Sequence, residues 1–501
     1  MTWSDVKFSA LPHSSGKWHA AAASENESVV DAARAALLDR LNSTTQSPVT
    51  THLLLKAAAG AGKSFALQQL IVASAGAPGT RRIGVTAFTN NQIRPLAAAL
   101  TERLGPARVC LHLSQDAARA TPTASLKGLT VSTTATSIPA STDVVVATAS
   151  KLKAFGEVRR LRDHFGATAS GHLFTTLFVD EAWQLPHHLF DGIGNVAPLI
   201  VGVGDVGQLP PLEVGTNPWR GDEHHNPYRA WPTSFTGKPT TWERELPSVW
   251  RPPGEAIGLW RAFYPEWGEL NGVAAPGERH VTLEGEVPSG PLWHQVGSGT
   301  PTLVEVTGLP ESEAPDVDLP LAELLELWLD ELFTAGFTVR TARYASDGNP
   351  TGETNVQHPG TSDDGDPLIV VLATRNQAVD DATAMVDRLR KKHGLKERDL
   401  VSSTVDSWQG RTNAITIAIH PLSGATQLDE FNSAFGRLAV ACTRATHGLL
   451  VVTRAGLDEL LATAPARPGT PFGEPGVRQL PRQTHERILG TFSRAIVDGH
   501  H

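Results

Sequence analysis

An apolar run, His52-Leu53-Leu54-Leu55, leads into Ala57-Ala58-Ala59-Gly60-Ala61-Gly62-Lys63-Ser64. This passage from strand to loop constrains the fold more than any other feature of the chain. Glycines let the backbone curl so that successive N–H groups converge on phosphate oxygens; Lys63 can neutralise the β- and γ-phosphates, and the Ser64 hydroxyl can ligate Mg²⁺. Gly60, Ala61, Gly62, Lys63 and Ser64 are thus the candidate phosphate cradle, and binding and hydrolysis of a nucleoside triphosphate is the chemistry it implies. The strict pattern has Gly where this chain has Ala57.

A loop of this kind belongs at the end of a buried parallel strand, and the chain supplies more such strands. Residues 53–55, 83–87, 144–147, 177–179 and 199–203 are short runs rich in Val, Ile and Leu, separated by helix-like stretches such as 64–73. The theme repeats at 368–372, 402–405, 415–419 and 449–452. Alternating strands and helices predict doubly wound α/β architecture, and 501 residues exceed one core. Two domains are expected, over 1–260 and 261–465, with a tail at 466–501 that ends in a helix near 484–497. Leu321, Leu324, Leu325, Trp328 and Leu332 share one face of a core-packing helix. Residues 345–367 read as a solvated loop or disordered insertion, and 117–142 as an elaborated loop over the first domain.

Composition narrows the class. Apolar residues at 40% and charged ones at 19% are ordinary for a globular chain. No apolar run approaches a membrane span and no secretory leader follows Met1, so a cytoplasmic protein without a membrane partner is expected. Cys110 and Cys442 are too few for a disulfide framework or zinc site and read as buried thiols. A net charge of −9 argues against a protein that coats polyanions over its whole surface, but leaves room for a local positive channel.

Two further strand ends carry chemistry. Phe178-Val179-Asp180-Glu181-Ala182-Trp183-Gln184 places Asp180 where it can hold the water shell of Mg²⁺ and Glu181 where it can orient an attacking water. Val203-Gly204-Asp205-Val206-Gly207-Gln208-Leu209-Pro210-Pro211 ends in a rigid turn that can hold the Gln208 amide near the γ-phosphate. The adjacent pairs His187-His188 and His224-His225 lack the further ligands a zinc site needs. Trp219, Tyr228, Trp231 and Trp242 read mainly as packing residues, with one of them a candidate for stacking on a base.

In this order the three motifs resemble those of superfamily 1 helicases, and further segments extend the likeness from about residue 50 to about 455. Val85-Thr86-Ala87-Phe88-Thr89-Asn90 resembles a strand-contacting motif, Leu246-Pro247-Ser248-Val249-Trp250-Arg251 a segment supplying an arginine to the γ-phosphate, and 403–410 and 437–445 the last two motifs. The Val405-Asp406-Ser407-Trp408-Gln409-Gly410 form is most similar to the branch of the RNA-surveillance helicases, which move 5′ to 3′. The resemblance implies two RecA-like domains with ATP and Mg²⁺ between them, and single-stranded DNA or RNA as partner. It implies catalytic roles for Lys63, Asp180, Glu181, Gln208, Arg251 and Arg444, nucleotide contacts from Gln409 and Gly410, and nucleic-acid contacts from Phe88, Thr89, Asn90, Gln184 and Arg437. Residues 26–31 lack the upstream glutamine with which the family reads adenine, Arg411-Thr412-Asn413 stands where an acidic residue commonly approaches the ribose, and no large wedge domain is inserted. An ATP-gated switch that recruits a protein effector, for example a nuclease, is the alternative to a motor.

Overall fold

The structure, a computed structural model, describes residues 3–11, 15–43, 50–209, 225–312, 317–361, 365–374, 376–428, 435–463 and 481–499, with single positions 211, 217, 219, 222 and 432. Eight strands build the first sheet: β1 (His52–Ala57), β2 (Ile83–Ala87), β3 (Val109–His112), β4 (Thr130–Ser132), β5 (Val144–Thr148), β6 (Thr176–Asp180), β7 (Ile200–Gly204) and β8 (Thr241–Leu246). Their spatial order is β4-β3-β5-β2-β6-β7-β1-β8, with every neighbouring pair parallel.

Alternation along these strands shows why they read as continuous apolar runs. Leu53, Leu55, Val144, Val146 and Phe178 face one core, under the helices His19–Asn42, Lys63–Gly76 and Asn90–Leu104. Leu54, Val145, Ala147, Leu177 and Val179 face the other, with Leu152, Leu161, Phe190 and Trp231. A strand covered on both sides has no polar face to reveal its period.

A two-stranded parallel pair follows, β9 (Ser248–Val249) and β10 (Asn271–Gly272). The rest of the chain forms β11 (Arg279–Leu283), β12 (Thr302–Thr307), β13 (Phe337–Tyr344), β14 (Pro350–Gln357), β15 (Ile369–Ala373), β16 (Leu400–Thr404), β17 (Asn413–Ile419), β18 (Ala445–Arg454) and β19 (Ser493–Asp498). Six of these make a second parallel sheet, β16-β15-β17-β18-β12-β19, again covered on both faces. The molecule thus has two RecA-like doubly wound units. Leu303, Val370, Leu372, Ala418 and Val451 of the second sheet belong to the same buried cluster as the Leu53 face of the first, so one core runs through the junction. The helix Leu319–Ala335 buries its expected stripe, and Trp3 meets Trp328 edge-on with centroids 5.3 Å apart. Among the described residues no helix is long and apolar enough to cross a membrane.

Three expectations need correction. Within 345–367 lies β14, paired antiparallel to β13 across a turn at Gly348 (φ 85°). Its residues are almost all exposed, so the ladder rather than burial makes it a strand. The region 117–142 carries the edge strand β4 between short helical turns. After residue 480 the helix is Pro481–Leu489, and β19 then pairs with β12 at the edge of the second sheet. Ser493, Ala495 and Val497 alternate inward there, a period of two inside what reads as a helical tail.

Candidate nucleotide site

The ends of β1, β6 and β7 lie side by side because β6 pairs with β7 and β7 with β1. Open parallel sheets hold ligands beyond such carboxyl ends. Ala57 is the last residue of β1, buried and paired with Leu246, without a positive φ, so glycine is not required there. The curl falls at Gly60 (φ 79°) and Gly62 (φ 88°). A Cβ on Gly60 would strike the Arg251 side chain, so both backbone angle and space reserve that position for glycine.

The loop is braced from behind by residues the sequence reading did not single out. Ala59 N–H donates to the Tyr264 hydroxyl at 3.0 Å, and Trp260 Nε1–H donates to the Ala59 carbonyl at 2.8 Å. Buried Asn26 donates through Nδ2 to the carbonyls of Ala61 (3.0 Å) and Ser248 (2.7 Å), and its Oδ1 accepts the Ser248 N–H at 2.9 Å. The Tyr264 hydroxyl donates in turn to Asp205 at 2.9 Å, and Gly207 N–H donates to the same carboxylate at 2.9 Å. Asp205 stands in the β7 motif, but Tyr264 lies 59 positions along the chain and leaves no local signal.

Lys63 pairs with Glu181 at the floor of the cleft. Burial works to lower the Lys63 ammonium, yet the carboxylates of Glu181 and Asp180 hold it above its ordinary range. Burial pushes Asp180 upward and Asp205 up to about 6. Glu181 adopts a left-handed backbone (φ 49°), unusual for a residue with a side chain, which turns its carboxylate back over the loop. Its other oxygen accepts from Gln184 Nε2 at 3.0 Å, Gln184 Oε1 accepts from Gln92 Nε2 at 3.0 Å, and Gln92 Oε1 accepts the Thr89 N–H at 2.9 Å. Thr89 and Gln92 also form the capping box of the helix Asn90–Leu104.

Two arginines reach the cleft from opposite units. Arg251 follows β9 and donates through Nη1 to the Thr443 carbonyl at 3.0 Å. Buried Arg444 is fixed by Nε to the Val440 carbonyl (3.0 Å) and by Nη2 to Thr443 Oγ1 (2.8 Å). Burial and then the like charge of Arg444 lower Arg251 to about 9. Gln409 Nε2 donates to Gln208 Oε1 at 3.3 Å across the cleft. Gly410 and Thr412 line the same cavity, of about 510 Å³, together with Gly60, Lys63, Ser64, Glu181, Arg251 and Arg444. Pro210 lies outside the described residues.

Ser64 is exposed at the mouth of the loop, and Asp180 is buried behind it. Mg²⁺ prefers this kind of donor set, a hydroxyl and a carboxylate with room for water and phosphate oxygens. Burial raises the carboxyls of Asp180 and Asp205 against the pull of Lys63, so a further cation beside them would favour their ionised forms. The residues present therefore fit the ion. Among the described residues no cluster of three or more His, Cys, Asp or Glu could hold a metal by itself.

The expected nucleic-acid contacts divide. Asn90 lines a second cavity of about 580 Å³ with Ser114, Thr134, Lys151, Arg160 and the Glu157 that pairs with both cations. Thr89 is exposed, whereas Phe88 is half-buried against the Trp231 core. Gln184 is buried, and its amide bonds Glu181 and Gln92. Arg437 lies 3.4 Å from Asp406. Trp231 is fully buried and stacks on Phe190, while Trp219 is half exposed. Both cysteines are buried thiols.

No protein-family model and no curated protein matches the sequence. Several solved structures align over most of the chain. The PRRSV helicase does so at 14% identity and TM-score 0.36, covering 88% of this chain and 58% of its own. An arterivirus nonstructural protein 10 (helicase) with DNA gives 14%, 0.39, 87% and 65%, and the DUF1998 helicase MrfA bound to DNA gives 9%, 0.44, 90% and 50%. The chain spans about half to two thirds of the length of these proteins.

Proposed function

We propose that this protein is a Mg²⁺-dependent ATPase of the superfamily 1 type that moves along single-stranded DNA or RNA. The observation that carries the reading is the Lys63–Glu181 pair at the base of a cleft faced by Arg251 from one unit and Arg444 from the other. Lys63 and Glu181 neutralise each other in this geometry. A triphosphate on the loop competes for Lys63 and frees the Glu181 carboxylate to orient water against the γ-phosphorus. Ser64 and Asp180 would hold Mg²⁺, which would supply positive charge against the phosphates. Arg251 and Arg444 meet the charge that develops in transfer; as planar cationic forks they suit phosphate oxygens. Gln208, bonded to Gln409 of the other unit, is suited to report the γ-phosphate across the junction.

Motion needs the chemistry to reach the strand. The series Glu181–Gln184–Gln92–Thr89 ends on the cap of a helix whose first residue, Asn90, lines the second cavity. A change in Glu181 on hydrolysis thereby alters the cap that faces a groove in which Glu157 pairs with Lys151 and Arg160. The branch resemblance adds 5′-to-3′ direction to the proposal. A second reading, an ATP-gated switch recruiting an effector, is favoured by the net charge of −9. Phosphate release measured with and without single-stranded DNA and RNA at low salt separates the two. Stimulation by either polymer supports the motor; turnover indifferent to both supports the switch.

A further inference from the structure

We propose that Gln357 reads the base of the bound nucleotide and that the base it selects is adenine. The inference rests on the ATPase reading above and concerns the far end of the same cleft. Asn26, in the stretch where an adenine-reading amide would be sought, spends its side chain bracing the phosphate loop and Ser248. Asn26 therefore leaves base recognition to another element.

The antiparallel sheet β11-β13-β14 supplies one. Arg279 pairs across β11–β13 with Thr341, and Gln357 pairs across β13–β14 with Val339. Thr341 and Val339 are two residues apart on β13, and side chains two apart, like those directly opposite, share a face. Arg279, Thr341 and Gln357 therefore stand on one face of this sheet, and all three line the cavity that begins at the phosphate loop.

Most polar groups at this end are already committed. The Thr341 hydroxyl meets His447 Nε2 at 2.8 Å, and His447 Nδ1 meets Thr446 Oγ1 at 2.7 Å. Arg279 donates to the Arg251 carbonyl, and the Asn413 amide serves Thr416 and Trp408. Gln357 is half-buried, and its amide has no partner among the described residues. It offers a donor beside an acceptor. Adenine's N6–H₂ and N7 match that pair, whereas the corresponding edge of guanine shows two acceptors, O6 and N7, of which the amide satisfies one.

The test is equilibrium binding of ATP, GTP and inorganic tripolyphosphate to the full chain, with thermal unfolding to check the fold. Native protein is expected to prefer ATP over GTP. Gln357→Ala is expected to lose about tenfold in ATP affinity, the scale of one bidentate base contact, and to bind tripolyphosphate as before. Gln357→Glu keeps an acceptor for adenine N6–H₂ but presents only acceptors to guanine O6 and N7, so it is expected to weaken GTP binding more than ATP binding. An ATP-to-GTP ratio unchanged by Gln357→Ala, or a parallel loss of ATP and tripolyphosphate, would overturn the assignment. Native protein that binds none of the three ligands would instead remove the ATPase reading itself.

Discussion

Replacing Asp205 by Asn removes a charge from the buried end of β7 while keeping Oδ1 for the Gly207 N–H and the Tyr264 hydroxyl, each 2.9 Å away in the native chain. Burial raises this carboxyl from an ordinary 3.8 to about 6. Such a group binds its proton more tightly folded than unfolded, so its ionisation opposes folding. The penalty is absent below about pH 4 and complete above about pH 7. A rise of about two units, at about 1.36 kcal/mol each, sets the full penalty near 3 kcal/mol, with roughly half of it present at about pH 5. The neutral variant is expected to match native protein near pH 4 and to exceed it by about 3 kcal/mol near pH 8. Urea unfolding across that range, read by tryptophan fluorescence and compared at matched transitions because two units can unfold separately, measures the gap. A gap that does not widen with pH would refute the argument that burial dominates at Asp205; a variant weaker at every pH would show that the ionised carboxylate's bonds outweigh it.

Lys63→Ala and Glu181→Gln are each expected to abolish phosphate release, with nucleotide affinity falling in the first and persisting in the second; near-native turnover in either would remove the site assignment. Arg251→Ala and Arg444→Ala are each expected to slow kcat by about 10³-fold or more while changing ATP affinity far less, and equal losses in both quantities would make them ground-state phosphate ligands. Gln92→Ala is expected to lower the ratio of strand-stimulated to basal turnover several-fold. Gln92→Glu keeps the cap on Thr89 but loses the donor to Gln184, so it is expected to do the same, and an unaltered ratio in both would leave Gln92 as a helix cap alone. A duplex with a 5′ overhang is expected to open in preference to one with a 3′ overhang, and binding should weaken steeply from low to physiological salt; opening confined to 3′ overhangs would overturn the assigned direction.

The loop at Gly60–Lys63, the Asp180-Glu181 strand end and the Gln208 turn were legible because each is encoded within a few consecutive residues. Glycine at positive φ, a small residue at a buried strand end and carboxylates after an apolar run need no knowledge of the remainder of the fold. Parallel strands buried on both faces were legible for the same reason, as continuous apolar runs. Strands defined by partners rather than by burial escaped notice: β14 has hardly an apolar residue, and β19 hides its period of two behind a helix-forming composition.

Tertiary structure alone decided which side chains complete the site. Asn26 meets Ser248 across 222 positions and Tyr264 meets Ala59 across 205, separations over which no local periodicity survives. The same holds for Gln92, which reads as an ordinary helical glutamine until β2 and β6, as neighbours, bring it to Gln184. Gln357 reaches the cleft only through its register with Val339. Local chemistry names the candidate phosphate-contacting groups because backbone conformation is a local property. The groups that brace, link and select are set by strand order and register, which arise only when distant segments bury their surfaces together.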